Sequence, residues 1–131
     1  MAKLTESAKK MIDDKTFAHF ATLMPDGSPQ VSPVWIARDG DTILIDTAEG
    51  RIKDRNPRRD PRVAISMTDP KNPYHSILIR GVVKVVTLDG AEEEIDKLAK
   101  KYMGKEKYPW RAPGEKRVLL KIEATHIYEM G

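Results

Sequence analysis

Residues 17–47 read FAHFATLMPDGSPQVSPVWIARDGDTILIDT, and the alternation and turns of this stretch decide the fold. Phe17, His19, Ala21 and Leu23 fall on one face of a strand, and Ala18, Phe20 and Thr22 on the other. With so few polar residues on either face, the pattern is that of a strand buried on both sides. Pro25-Asp26-Gly27-Ser28 is a turn, because proline presets one dihedral and glycine takes a positive one. Pro29–Ala37 is the return strand, with Val31, Val34, Trp35 and Ile36 apolar; Asp39-Gly40-Asp41 makes the next hairpin and Thr42–Thr47 the third strand. Strands linked this tightly are antiparallel and cannot be stacked as βαβ units.

The flanks agree. Leu4, Ala8, Met11 and Ile12 recur at helical spacing and predict a short amphipathic first helix. After the third strand comes a basic segment, read as a short helix. Pro57 is awkward inside it and is placed in the first turn of a second, offset helix. Arg62–Thr68 is a strand, residues 69–73 a rigid loop, and Tyr74–Leu88 a long strand with Gly81 as a bulge or bend. Asp89 and Glu92 form a capping box for a helix whose apolar stripe is Ala91, Ile95, Leu98, Ala99, Tyr102 and Met103. Residues 105–115 are a loop, and Arg117–Tyr128 is the final strand. The expectation is a single mainly β (α+β) domain over residues 1–131, with six or seven antiparallel strands in a closed or nearly closed barrel and three short helices.

Composition narrows the function classes. The chain has 131 residues and no cysteine, which excludes disulfides and thiolate zinc sites. Its three histidines are too scattered to predict a metal site. There is no apolar run of membrane-spanning length and no apolar signal region at the N-terminus, so a cytoplasmic protein without membrane contact is expected. A basic isoelectric point raises nucleic acid as a partner. The basic cluster is short, however, and aromatics make up only 6%, leaving little to stack bases on, so nucleic acid is not expected.

The charge is concentrated. Residues 50–62 carry six basic side chains (Arg51, Lys53, Arg55, Arg58, Arg59, Arg62) against Asp54 and Asp60, a local +4 in a chain of net +3. The segment follows a strand and a glycine. Such a junction aims backbone N–H groups and a helix dipole at an anion, and arginine adds fork-shaped donors for phosphate. The segment therefore predicts a phosphate-bearing ligand held where Thr47–Lys53 turns from strand to helix.

Three runs, Pro25–Trp35, Thr47–Asn56 and Arg59–Val63, come in an order that resembles the split β-barrel flavin/deazaflavin oxidoreductases, the superfamily of pyridoxamine 5′-phosphate oxidase. The likeness spans residues 8–128 and is closest to the group that uses coenzyme F-420, an 8-hydroxy-5-deazaflavin. It implies a six-stranded antiparallel split β-barrel with short flanking helices, and a homodimer with cofactor sites at the interface. By position, Arg51 and Lys53 would hold the cofactor phosphate, with Thr47 and Asp46 lining the turn beneath it. Gln30, Val31, Ser32 and Pro33 would present an edge strand to the tricyclic ring, and Asn56 would orient the segment or bind the tail. The sequence departs from the family at Pro57, where an aliphatic residue is usual. It also ends at Tyr128-Glu129-Met130-Gly131, where the vitamin oxidases carry a further basic stretch, which argues against pyridoxamine phosphate as substrate.

A flavin-type cofactor carries its own redox chemistry, so no protein catalytic residue is expected. FMN has one phosphate, whereas F-420 adds a lactyl and oligoglutamate tail that the surplus Arg55, Arg58 and Arg59 would meet. The leading expectation is thus hydride transfer from F-420 to a small unsaturated substrate. The alternatives are an FMN-binding oxidase or reductase and a non-catalytic flavin- or haem-type ligand carrier. Trp35 is either core filler or a ring contact. His19 reads as a core histidine, His75 and Tyr74 as turn surface, and His126 as structural. Tyr108 and Trp110 read as a lid or an interface.

Overall fold

The computed structural model describes residues 2–131. Its elements are α1 (Glu6–Asp13), β1 (Ala18–Leu23), β2 (Pro29–Val34), β3 (Ala37–Asp39), β4 (Thr42–Ala48), α2 (Ile52–Arg59), β5 (Arg62–Asp69), β6 (Asn72–Thr87), α3 (Ala91–Met103) and β7 (Arg117–Met130). All strands lie in one antiparallel sheet of order β2-β1-β5-β6-β7-β4-β3.

The sheet has seven strands, not six, and it is not closed. The predicted return strand Pro29–Ala37 breaks at Trp35-Ile36 into β2 and β3, which become the sheet's two edges. Ile36 supplies the cause: its side chain is fully buried in the core, and its N–H donates to the Tyr102 hydroxyl at 3.1 Å instead of to a strand. Because only two residues separate β2 from β3, the edges lie within about 10 Å of each other along the chain. The sheet must therefore curl around the core without hydrogen-bonding shut. Pro29 and Pro33 suit an edge, where a missing donor costs no ladder bond.

One face of the sheet builds the core, with Phe20, Ile43, Ile45, Met67, Ile77, Ile79, Leu120 and Ile122 almost wholly buried. α1 adds Ala8, Met11 and Ile12 from the face that the helical spacing predicted, with Thr5 capping it by accepting from the Ala8 N–H at 3.0 Å. β1 is buried on one side only. Ala18, Phe20 and Thr22 face inward, whereas His19 and Phe17 are exposed, so His19 is not a core histidine. The outer face of β1, β5, β6 and β7 is nonetheless apolar, and Val31, Leu78 and Tyr128 are bare on it.

Gly81 is a bulge, as expected. The β6–β7 register slips between Arg80 and Gly81, and a Cβ on Gly81 would stand 2.5 Å from the Glu123 carbonyl oxygen. Residues 69–73 are not a loop but a two-residue turn, with Asp69 paired to Asn72. No capping box forms at α3. Gly90, in the left-handed region, is the N-cap, and Glu92 instead accepts from the Arg117 N–H and from Arg111. Pro57 lies within a single continuous α2, not in an offset second helix, and is buried against the sheet.

Candidate functional site

A cleft of about 480 Å³ opens where β2, β4, α2, α3 and the 105–115 loop meet. One end is cationic. At the close of β4, Gly50 takes a φ of 89° to turn the chain into α2, a conformation that strains any residue with a Cβ. Asp54 locks the turn. Its buried carboxylate accepts from the Gly50 N–H at 2.8 Å and from Arg58 Nε at 2.7 Å. The Gly50 N–H, which the junction was expected to offer to an anion, is thus taken. What lines the cleft here is Thr47, whose hydroxyl is buried and without a partner, together with Arg51 and Lys53. Lys53 is half-buried. Its Nζ lies 3.3 Å from Ser32 Oγ, and its pKa is lowered by burial and by the nearby Arg51 and Arg117 charges. Arg51 is more open, with Glu115 at 3.9 Å.

Beneath this end lies a buried ion pair. Arg117, the first residue of β7, donates from Nε to Asp46 Oδ1 at 2.9 Å, and also reaches Glu115. Asp46 Oδ2 is buried and unbonded. Burial pushes the Asp46 carboxyl up to about 7; Arg117 opposes the rise, and Glu94 and Glu92 add to it.

The other end is aromatic. Trp35 stacks on Tyr102 with centroids 5.1 Å apart and planes within 4°. Tyr108 meets Trp35 and Trp110 edge-on, and Phe17 packs against Tyr102. The Tyr102 hydroxyl ties this wall to the frame by donating to the Thr16 carbonyl and accepting from Ile36 N–H. The loop is held by Asp96, which accepts from Tyr108 N–H and from Arg111. Trp35 therefore lines the cleft, as do Tyr108 and Trp110.

Of the residues singled out from sequence, Pro33, Asp46, Thr47, Arg51 and Lys53 come together here. Ser32 joins them through Lys53. Gln30, on β2, pairs with Thr22 of β1 and is not among the cleft-lining residues, and its Oε1 is buried without a partner. Val31 points to the outer face and is 60% exposed. Asn56 is buried behind α2. It donates to Thr22 Oγ1 at 2.9 Å and accepts from Arg59.

Of the three surplus arginines, Arg58 binds Asp54 and Arg59 binds the Leu23 carbonyl and Asn56, while Arg55 is exposed. Arg62, further along, binds Asp60. His75 is not among the residues lining the cleft; it bridges Asp69 at 3.0 Å and Glu129 at 2.7 Å. Among the described residues, no three His, Asp or Glu side chains converge to hold a metal ion.

Sequence reading missed Arg117, Phe17 and the cleft-facing role of Tyr102. Nothing local marks Arg117, which reaches Asp46 across 71 residues of chain. Tyr102 was visible only as the end of an apolar helical stripe.

The open antiparallel sheet, curled round one core, thus carries a cleft with cations at one end and an aromatic wall at the other. The chain belongs to the pyridoxamine 5′-phosphate oxidase family, whose profile matches residues 4–131. An F-420 reductase is similar to it, with 30% identity over 95% of this chain and 98% of that one and a TM-score of 0.82. The resemblance to the F-420-using group thus holds. A conserved hypothetical protein of Mycobacterium tuberculosis (21% identity, 97% of this chain and 84% of that one, TM-score 0.74) and HupZ of Group A Streptococcus (18%, 96% and 93%, TM-score 0.70) share the fold.

Proposed function

We propose that this protein is an oxidoreductase that binds coenzyme F-420 in the cleft and transfers hydride to a small unsaturated organic substrate. The observation that carries this is the convergence of an unpartnered buried Thr47 hydroxyl with Arg51 and Lys53 at one end of a cleft whose other end is aromatic. Family membership and the similar F-420 reductase support an oxidoreductase of the flavin or deazaflavin type. The donor set suits a phosphate: one hydroxyl, one half-buried ammonium and one open guanidinium.

In this reading Thr47, Arg51 and Lys53 hold the phosphate. Pro33, with Ser32 beside Lys53, brings the edge strand β2 to the ring, whereas Gln30 and Val31 of the same strand lie off the cleft. Asn56 orients α2, and Asp46 closes the floor. When bound, a deazaflavin supplies hydride transfer without activating oxygen. The side chains bind it, orient it and exclude water with the Trp35–Tyr102 wall. The protein would act as a homodimer in the cytoplasm. The apolar outer face with Val31, Leu78 and Tyr128 supports a second copy seated there. No helix among the described residues is long and apolar enough to cross a membrane.

FMN is the second reading, and one observation favours it. The engagement of Arg58 and Arg59 within the fold removes cations that a long acidic tail would need. Spectral titration of the purified protein with F-420 and with FMN tests both readings. Tighter F-420 binding is expected, together with turnover of reduced F-420 on enones or quinones. If neither cofactor's spectrum changes on mixing, the oxidoreductase reading is lost.

A further inference from the structure

Asp46 is an anomaly in an otherwise well-paired site. Asp46 is among the residues that line the cleft, its side chain is fully buried, and only Oδ1 is bonded, so Oδ2 is left without a partner. Burying an ionised carboxylate this way is costly unless every lone pair is met. Its one cation, Arg117, also serves Glu115. Glu92 and Glu94 of α3 add negative charge around Asp46, while Lys53 of α2 and Arg51, which precedes that helix, line the same cleft. Tyr108 covers the outer side of Arg117, with its ring centroid 5.0 Å from the guanidinium carbon.

We propose that Asp46 is the proton-holding residue of the cleft: seating an anionic ligand between Arg51, Lys53 and Thr47 makes its Oδ2 take up a proton and hold it for as long as the ligand is bound. The proposal rests on the cofactor reading above and deepens it. Two effects drive the uptake. An added anion disfavours a second negative charge beside it, so the carboxyl is neutralised. Protonation also removes a buried charge whose second oxygen has no partner in the free protein. Because burial already brings the carboxyl to about 7, the exchange falls within the physiological range. The pair with Arg117 then relaxes toward Glu115, which keeps the guanidinium matched.

The test uses the full chain and its D46N variant. FMN and oxidised F-420 are titrated from pH 6 to 8.5, with calorimetry at pH 7.5 in buffers of high and low ionisation enthalpy. The expected result is net proton uptake by the wild type. Its affinity relative to D46N should fall, by up to about tenfold per pH unit, above the titration midpoint of Asp46. If D46N keeps the wild-type pH profile and proton count, the proposal is overturned. A second measurement does not depend on the variant or on either cofactor: carboxyl-carbon NMR of the wild type with and without inorganic pyrophosphate. A midpoint for Asp46 near 7 that rises with pyrophosphate supports the proposal. A midpoint below 5, or one that pyrophosphate leaves unmoved, overturns it. Failure of both cofactors to bind, with the pyrophosphate shift intact, overturns the cofactor reading and leaves the proton-holding role of Asp46 standing.

Discussion

Replacing Lys53 by alanine should weaken cofactor binding far more than replacing Arg51, although arginine is the stronger phosphate ligand in general. The reason is burial. Lys53 is half-buried, and the neighbour its Nζ bonds is the neutral Ser32 hydroxyl at 3.3 Å, so its charge is poorly screened and not neutralised. A charge-assisted hydrogen bond contributes about 1.5–3 kcal/mol, and the sheltered position argues for the upper part of that range, about 2–3 kcal/mol. That corresponds to roughly 30- to 150-fold in Kd. The Arg51 side chain is 56% exposed and shares its field with Glu115. Solvent and salt screen it, so its loss should cost about 0.5–1.5 kcal/mol, roughly 2- to 10-fold. Arg58→Ala is the control, because Arg58 is held by Asp54 and should leave affinity unchanged while lowering stability. Fluorescence titration of FMN and F-420 onto each variant, with melting curves to confirm folding, gives the ranking. If Arg51→Ala costs more than Lys53→Ala, or Arg58→Ala costs as much as either, the phosphate does not sit at the mouth of α2 as argued.

Three further outcomes are expected. Gly81→Ala should destabilise by about 1–3 kcal/mol, because the new methyl would meet the Glu123 carbonyl rather than a yielding side chain; chemical denaturation measures it, and a neutral result would mean that the β6–β7 bulge can slide. Asp54→Ala should cost about 2 kcal/mol, since it leaves the Gly50 N–H unpaired and frees Arg58. The loss should be accompanied by weaker cofactor binding, and a stable variant with normal affinity would contradict the locking role. The His75 pKa is raised by its hydrogen bonds to Asp69 and then Glu129. Its stabilisation is therefore full below the unfolded value and is lost as pH rises through the folded one. Melting temperature against pH should show this decline above about pH 6.5 in the wild type and not in His75→Gln; parallel curves for the two proteins would dismiss the bridge.

Local periodicity located nearly every element. The alternation in Thr42–Thr47 and Arg117–Tyr128, the turn at Asp39–Asp41 and the stripe of α3 all correspond to observed strands, turns and helices, because each depends on residues close in sequence. The misreadings share another origin. Pro29–Ala37 looked continuous because Val31, Val34, Trp35 and Ile36 favour strand, and only the burial of Ile36 and the reach of Tyr102 break it. Asp89 and Glu92 had capping-box spacing, but Arg111 and the Arg117 backbone claim Glu92. β1 looked buried on both sides because its outer face is largely apolar, yet His19 on that face is exposed.

For the site, sequence alone determined that a strand–glycine–helix junction carries Thr47, Arg51 and Lys53 together, since seven consecutive residues fix that placement. Only the tertiary structure decided which of the six cations in that segment face a cleft and which are held by Asp54, Asp60 and Asn56. It also decided that Arg117 would reach Asp46 and that an aromatic wall would rise opposite. Pairings of this kind join residues far apart in the chain, and burial, which sets their energies, has no signature in the order of residues.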